Sequence, residues 1–250
     1  MMAAEFEGLT AVVTGAGSGI GLATARHLRD AGARVFGFDL SQGDMAGIAD
    51  WISCDIGSPD SVESAFTALG AVVDSIDVLI NNAGIGAIGS IEDTEEDEWT
   101  RVFNINVFGT ARVTRAALPF LRSSSVAAIV NTCSVAAATG LPKRAIYSAS
   151  KGAVQALTLS MAADFIAEDI RVNCVNPGTA DTPWVARLLD AAPDPQAERV
   201  ALEGRQPNGR LVTADEVASA ICYLASPAQR STTGTILAVD SGMHSLRVSR

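Results

Sequence analysis

The sequence has few histidines, lysines, cysteines and aromatic residues, and it carries no excess of basic charge. Its 250 residues include two histidines and four cysteines, and aromatic side chains make up 5% of the chain. So few histidines, with no Cys-x-x-Cys pair, predict that there is no metal site. The formal net charge of -10 repels phosphate backbones and anionic lipid headgroups. We therefore expect a small-molecule ligand, and neither a nucleic acid nor a membrane as a partner.

Long apolar runs are also missing. No run reaches the ~18 residues that a membrane-spanning helix needs. Residues 1–13 carry Glu5 and Glu7, whereas a secretory signal is basic in this region. The four cysteines stand far apart in the sequence, which is typical of reduced thiols rather than disulfides. We therefore expect a cytoplasmic protein.

Short β-branched runs alternate with longer amphipathic stretches from residue 9 onward, and no linker or repeat interrupts them. This alternation is typical of a parallel sheet covered by helices on both faces. We predict an α/β fold with one Rossmann-type domain over residues 1–250, built on a doubly wound parallel sheet of seven strands. The segment 177–212 is predicted to be irregular, with a substrate lid at about 181–212. The predicted strands are 10–14, 34–39, 51–54, 77–81, 126–132, 170–176 and 235–239, and the predicted helices lie near 20–31, 59–73, 96–120, 147–168 and 213–225.

A glycine-rich segment, residues 14–21 with the sequence TGAGSGIG, joins the first predicted strand to the first helix. Glycines at such a turn let backbone N–H groups approach a pyrophosphate at the helix N-terminus. A purely structural connection is the alternative, because a glycine-rich turn alone is weak evidence. The residues that we expect to contact the cofactor here are Gly15, Ser18, Gly19, Ile20 and Gly21.

Acidic and small residues follow the next three predicted strands, at the edge of the sheet where ligands bind. Asp39 ends the second strand, 18 residues after Gly21, where a carboxylate accepts hydrogen bonds from the adenosine ribose and repels a 2′-phosphate. This favours NAD over NADP, with a helix cap as the alternative role. Asp55 is placed to meet the adenine edge, although an ordinary loop aspartate fits nearly as well. After the fourth strand, the expected cofactor contacts are Asn82, Ala83 and Gly84.

Tyr147 and Lys151 stand one helical turn apart in the segment YSASK. A free phenol is protonated at neutral pH, so it acts as a base only where something favours the phenolate. A cation on the same helix face does this, and Lys151 is one of only two lysines in the chain. A solvated surface pair is the alternative. Ser134 follows the fifth predicted strand, 13 residues before Tyr147, where its hydroxyl can bind a substrate oxygen.

Together these motifs resemble the short-chain dehydrogenase/reductase family over essentially the whole chain. The pattern TGxxxGxG stands at 14–21, NNAG at 81–84, Ser-x12-Tyr-x3-Lys at 134–151 and PG at 177–178. The chain departs from the family pattern at Ser241, where the family usually has a glycine. This position has no catalytic role in the family.

The resemblance implies further roles that the residues alone do not show. It implies that Asn106 completes a proton relay with Lys151. It implies a homo-oligomer, usually a tetramer, because the family assembles through its long helices and last strand. It also implies a nicotinamide held by the turn after the sixth strand, at Pro177, Gly178 and Thr179 or Thr182.

Within the family the chain is similar to hydroxybutyrate and sugar-acid dehydrogenases, which act on carboxylates. The hydroxybutyrate enzyme binds its substrate carboxylate with arginines at positions that match Arg144, Arg187 and Arg205. The segment 183–210 is mildly enriched in arginine. Taken alone, each arginine is more often a solvated surface residue. With Ser134 and Tyr147, these arginines form the expected substrate site.

These observations predict an NAD-dependent oxidoreductase that moves a hydride between the cofactor and a secondary alcohol or ketone of a hydroxy acid or sugar acid. Tyr147 takes the hydroxyl proton, Ser134 steadies the oxygen, and Lys151 holds the cofactor ribose. The main alternative is a steroid or β-ketoacyl type reductase, whose lid would be apolar, and Trp184 keeps that alternative open. A more distant alternative is a dinucleotide-sensing protein without catalytic activity.

Overall fold

The computed structural model describes residues 4–190 and 192–247. Its strands are β1 (Thr10–Thr14), β2 (Arg34–Asp39), β3 (Asp50–Ser53), β4 (Val78–Asn81), β5 (Ala128–Thr132), β6 (Arg171–Pro177), β7 (Ala180–Asp181), β8 (Val212–Thr213) and β9 (Ile236–Val239). Its α-helices are α1 (Gly19–Asp30), α2 (Pro59–Gly70), α3 (Glu96–Phe103), α4 (Thr110–Leu121), α5 (Ala145–Asp164), α6 (Pro183–Asp190), α7 (Pro195–Gly204) and α8 (Ala214–Ala225). Within these described residues, no helix is both long and apolar enough to cross a membrane.

Seven of the strands form one parallel sheet in the order β3-β2-β1-β4-β5-β6-β9. This confirms the predicted seven-stranded doubly wound fold, and each predicted strand agrees with the observed one to within two residues. The order reverses beside β1, with β2 on one side and β4 on the other. Ligands of such sheets bind in the crevice at the carboxyl ends of the strands, at this switch point. The chain therefore places residues 14–21 and 81–84 at the binding edge.

The sheet separates two hydrophobic cores, and single strands contribute to both because successive side chains point to opposite faces. In β1, Ala11 and Val13 pack into one core with α1 and α8, whereas Val12 packs into the other with α2 and α4. In β4, Ile80 and Leu79 divide in the same way. All five side chains are fully buried. Burial on both faces explains the continuous apolar runs of the strands and gives the site a rigid base.

The predicted helix 96–120 is interrupted by a π-helix at Asn104–Gly109, between α3 and α4. The hydrophobic pattern did not indicate this wider turn. Arg112 stabilises it, because its guanidinium donates to the Asn104 side-chain oxygen at 2.7 Å and to the Asn104 backbone oxygen at 3.1 Å. The Asn104 amide in turn donates to the Gly57 carbonyl at 2.9 Å. Such π-turns are frequent at functional sites, and here the turn contains the buried Asn106.

The prediction of an irregular segment over 177–212 is wrong. The structure has α6 and α7 in this segment and pairs β7 with β8 at the two ends of the lid. Pro183 and Pro195 are the first residues of the two helices, a position where the missing N–H of proline costs no hydrogen bond. Asp194 caps α7 by accepting from the Ala197 N–H at 3.0 Å. The prolines therefore begin the lid helices.

Candidate active site

The glycine-rich turn between β1 and α1 has the shape of a phosphate cradle. Gly15 has a φ of +66°, and a Cβ added there would lie 2.9 Å from the Ala83 Cα. A Cβ on Gly21 would overlap the Gly15 carbonyl, so the close turn requires glycine at both positions. Ser18 precedes α1, but within the described chain its side chain does not cap the helix. The first N–H groups of α1 are therefore open to an anion, and the turn fits a dinucleotide pyrophosphate.

Asp39 and Asp55 lie at the adjacent ends of β2 and β3. The two carboxylate oxygens of Asp39 accept from separate backbone groups, the Gly17 N–H at 2.9 Å and the Leu40 N–H at 2.7 Å. Asp39 is therefore fixed against the glycine-rich turn, and its contact with the ribose stays a prediction. The Asp55 carboxylate accepts from the Gly57 N–H at 2.8 Å, which is an ordinary loop role. Its contact with the adenine stays a prediction.

The segment after β4 joins the glycine-rich turn to the predicted catalytic residues. The backbone N–H groups of Asn82 and Ala83 both donate to Thr14 Oγ1 at 3.0 Å. A Cβ on Gly84 would lie 3.0 Å from Asn106 Oδ1 and 3.5 Å from Lys151 Nζ. The predicted cofactor contacts of this segment therefore lie between the pyrophosphate cradle and the lysine.

Asn106 ties this segment to α5. Its side-chain oxygen accepts from the Ile85 N–H at 2.8 Å, and its amide donates to the Ile85 carbonyl at 2.9 Å and to Ser150 Oγ at 3.1 Å. Ser150 Oγ donates to the Tyr147 carbonyl at 2.8 Å. The side chain of Asn106 thus positions the helix turn that carries Tyr147. The implied proton relay through Asn106 stays a prediction.

Lys151, Tyr147 and Ser134 lie at the junction of α5 with the end of β5. Lys151 is buried, its Nζ donates to the Thr132 carbonyl at 2.8 Å, and it lies 5.9 Å from the centroid of the Tyr147 ring. Ser134 directly precedes a 3-10 turn that packs on α5. Ser134 Oγ accepts from the Ala136 N–H at 3.2 Å, which leaves its hydroxyl hydrogen for a substrate oxygen. The three side chains therefore provide a phenol, a cation and a hydroxyl donor at one edge of the sheet.

Cys133 lies beside Ser134 but has the properties of a structural thiol. A hydrogen bond with Cys174, together with burial, raises the pKa of the Cys133 thiol. Burial raises the pKa of Cys54 to about 11 and that of Cys222 to about 12. Because the thiolate is the reactive form of cysteine, Cys133 does not serve as a nucleophile at neutral pH.

Arg144 is a half-buried cation three residues before Tyr147. Its Nη1 donates to the Ala87 carbonyl at 2.9 Å, and its guanidinium carbon lies 5.4 Å from the centroid of the Trp184 ring. Burial lowers the pKa of Arg144, but a guanidinium remains charged at neutral pH. Trp184 packs against Gly86, where a Cβ would overlap the indole. Arg144 therefore lies between the segment after β4 and the lid.

The other two predicted arginines, Arg187 and Arg205, are both exposed. The positive charge of Arg205 adds to the effect of burial in lowering the pKa of Arg144, whereas Tyr147 and the Glu198 carboxylate act in the opposite direction. Substrate binding by the three arginines stays a prediction.

The two threonines after Pro177 and Gly178 also differ. The Thr179 carbonyl accepts from the Val212 N–H at 2.9 Å, which joins it to the far end of the lid. The Thr182 side chain lies over the glycine-rich turn, 3.5 Å from where a Cβ on Gly19 would be. Of the two, Thr182 is the one beside the cradle. Gln206, which the sequence did not single out, is fully buried near this turn, and a lone lid glutamine gives no pattern that could have revealed it.

Comparisons with known proteins show which family the chain belongs to. The family model described as enoyl-(acyl carrier protein) reductase matches residues 15–244. Cis-4-hydroxycyclohexanecarboxylate dehydrogenase of Sinomonas cyclohexanicum is 40% identical, over 96% of this chain and 98% of that protein. Dehydrogenase/reductase SDR family member 6 of Danio rerio is 38% identical, over 95% and 98%. The ligand-free structure of Thermoplasma acidophilum aldohexose dehydrogenase superposes with a TM-score of 0.92 at 33% identity, covering 99% of both chains.

The named relatives are dehydrogenases, and the match extends over nearly the full length of the chain. The protein is accordingly an oxidoreductase that acts on hydroxyl-bearing carbons, in a family that typically uses a nicotinamide dinucleotide. The resemblance found in the sequence motifs is confirmed: the chain belongs to the short-chain dehydrogenase/reductase family.

Proposed function

We propose that the protein transfers a hydride between NAD and the secondary alcohol, or the corresponding ketone, of a small hydroxy acid or sugar acid. The observation that carries this proposal is the half-buried Arg144 three residues before Tyr147. In a protein with a net charge of -10, a partly buried cation at the site is explained if the substrate is an anion. The Sinomonas relative, which is named for a hydroxy acid, supports this substrate class.

The catalytic residues divide the acid–base chemistry among them. Tyr147, as a phenolate, takes the proton of the substrate hydroxyl, while Ser134 donates a hydrogen bond to the same oxygen. The positive charge of Lys151, 5.9 Å from the Tyr147 ring, favours the phenolate. Bound NAD supplies the acceptor for the hydride that leaves the alcohol carbon. The alcohol would thereby become a ketone, and the proton that Tyr147 takes up would leave through the relay proposed at Asn106.

Asp39 is the reason for proposing NAD rather than NADP. Its carboxylate is fixed by the N–H groups of Gly17 and Leu40 at the end of β2. A negative charge held at this place accepts hydrogen bonds from the ribose hydroxyls and repels a 2′-phosphate. NAD is therefore the cofactor that these residues favour.

The substrate class is tested with arginine variants against an acid and its methyl ester. A thermal-shift screen of hydroxy acids and aldonates, with NAD present, first identifies an acid that binds. Charge-assisted pairs of about 1.5–3 kcal/mol predict that Arg144→Met or Arg205→Met lowers kcat/KM for the acid by ~10- to 150-fold. The ester should lose little, because it offers no carboxylate. Arg199→Met is the matched control, since Arg199 lies in the same lid but pairs with Asp181 and Glu203.

If the arginine variants lose kcat/KM equally for the acid and the ester, or for neither, the proposal that the substrate is a carboxylate is wrong. The structure has an observation that favours the second candidate, a reductase of an apolar steroid or β-ketoacyl substrate. The lid contains a hydrophobic cluster of Val185, Leu189, Leu202 and Leu211, against which Trp184 packs. With that outcome, a screen of apolar ketones with NADH would be the next measurement.

We also propose a homo-oligomer, a tetramer by family resemblance, in a reducing cytoplasmic compartment. Phe108 of the π-helix and Leu159 of α5 are 53% and 45% exposed, and large apolar side chains on exposed helices favour association. All four cysteines are buried free thiols, as is usual in a reducing compartment. Light scattering of the purified protein tests the assembly, and a monomeric mass would contradict it.

A further inference from the structure

Gln206 is a fully buried residue of the lid, just after α7 and next to Arg205. Its backbone is held in a turn, because its N–H donates to the Glu203 carbonyl at 3.0 Å and its carbonyl accepts from the Gly209 N–H at 2.9 Å. The side chain extends from this turn towards the end of β6. A long polar side chain without any exposure requires partners for its amide.

The amide of Gln206 finds its partners on Thr179 and Asp240. With the amide oriented to satisfy its surroundings, its oxygen accepts from the Thr179 N–H at 2.9 Å and from Thr179 Oγ1 at 3.3 Å. Its nitrogen donates to the Asp240 carbonyl at 3.3 Å. Gln206 therefore connects the lid to two segments that follow strands of the main sheet.

These contacts surround the Pro177–Gly178 turn. The Gly178 N–H donates to the Val239 carbonyl at 3.0 Å. A Cβ on Gly178 would lie 2.7 Å from the side-chain amide of Gln206 and 3.1 Å from Asp240 Cα, so the turn has no room to shift towards either residue. The position of the turn is thus set on one side by the lid and on the other by the end of β9.

We propose that Gln206 is a positioning residue that couples the lid to the cofactor-binding turn. By fixing Thr179, it directs the chain that continues to Thr182, whose side chain lies beside Gly19 in the phosphate cradle. By the same anchoring it restrains the backbone of the adjacent Arg205. The inference rests on the proposed cofactor role of this turn, and it assigns Gln206 no contact with the substrate.

The test compares Gln206→Met with Asn173→Leu. Each variant is titrated with NADH and with NADPH, and the intrinsic fluorescence of the protein reports binding. Methionine keeps the length of the side chain and removes both the donor and the acceptor. Leaving the Thr179 N–H without its partner should raise the Kd for the preferred cofactor by about tenfold. In steady state, the KM for that cofactor should rise while kcat changes less, because Gln206 touches no reacting atom.

Asn173 is the matched control. It is fully buried in β6, accepts from the Thr235 N–H at 2.9 Å and donates to the Thr232 carbonyl at 2.8 Å. Asn173→Leu therefore removes the same kind of bridge, at the other end of the strand. Asn173→Leu should lower Tm and leave cofactor affinity unchanged. If Gln206 had only a structural role, Gln206→Met would give this same result.

A folded Gln206→Met protein with wild-type cofactor affinity would overturn the inference. If that variant does not fold, Gln206→Asn replaces it, because its shorter amide keeps a polar group in place but stops short of Thr179. Gln206→Asn must then bind the cofactor more weakly than the wild-type protein does, and an unchanged cofactor affinity would likewise overturn the inference. The titration needs no substrate, so failure of the hydroxy-acid proposal would appear separately, as cofactor binding without turnover of acids.

Discussion

Replacing Asp39 with asparagine should reduce the preference for NAD, mainly by weakening NAD binding. In the structure, the carboxylate accepts the Gly17 N–H at 2.9 Å on one oxygen and the Leu40 N–H at 2.7 Å on the other. Asparagine has a single acceptor oxygen, so one bond is lost and an amide donor then faces a backbone donor. The hydrogen bonds that the charged carboxylate would accept from the ribose hydroxyls are worth about 1.5–3 kcal/mol, so losing them corresponds to a Kd for NADH that is about ten- to 150-fold higher.

The assay is a fluorescence titration of each protein with NADH and with NADPH. NADPH should bind no worse in the variant, because the charge that repels its 2′-phosphate is gone. Asp44→Asn is the control, since Asp44 is exposed in the loop after β2 and its substitution removes the same formal charge. Equal affinities for NADH and NADPH in the unmodified protein would refute the reasoning. An equal change in the cofactor affinities of the Asp39 and Asp44 variants would also refute it, because the effect would then come from the net charge of the protein and not from the position of Asp39.

Two further substitutions test the catalytic site and the lid boundary. Tyr147→Phe keeps the ring and removes the group that exchanges the proton, so turnover should fall by ~10² or more with the Kd for NADH nearly unchanged; a variant that keeps most of its turnover would contradict the assignment. Arg210, with the Thr213 N–H, holds the pKa of Glu216 at about 2. A carboxyl group whose pKa is lower in the folded state than in the unfolded state stabilises the fold at pH values above the unfolded-state pKa, and this stabilisation is lost as the pH falls towards the folded-state pKa. The unmodified protein should therefore have a higher Tm than Glu216→Gln at neutral pH, and the difference should shrink below about pH 5. The effect should be small, because Glu216 is 42% exposed. A Tm difference that grows as the pH falls would contradict the prediction.

The sheet was predictable because its strands are buried on both faces and therefore differ sharply from the helices around them. Val12 and Val13 lie on opposite faces and are both fully buried, so apolar residues follow one another directly within β1. The spacing of Tyr147 and Lys151 was equally informative, because a single helix turn fixes their separation.

Features that depend on contacts between distant segments could not be predicted. The bridge from Gln206 to Thr179 and Asp240 joins three loops, and no local pattern encodes it. The cation–π contact of Arg144 with Trp184 likewise depends on how the lid packs. The lid helices were missed for a different reason, since Pro183 and Pro195 are read as helix breakers unless their place at a helix start is known.

The pairing of β7 with β8 makes the lid a separable part of the chain. Ala180 and Val212 are direct partners, so the chain leaves the main domain and returns to it at neighbouring points. A segment whose ends are already adjacent can change in length or sequence at little entropic cost to the rest of the fold. This segment can therefore diverge in sequence, or be exchanged between related chains by cutting at these two residues, while the glycine-rich turn and the Tyr147/Lys151 pair stay as they are.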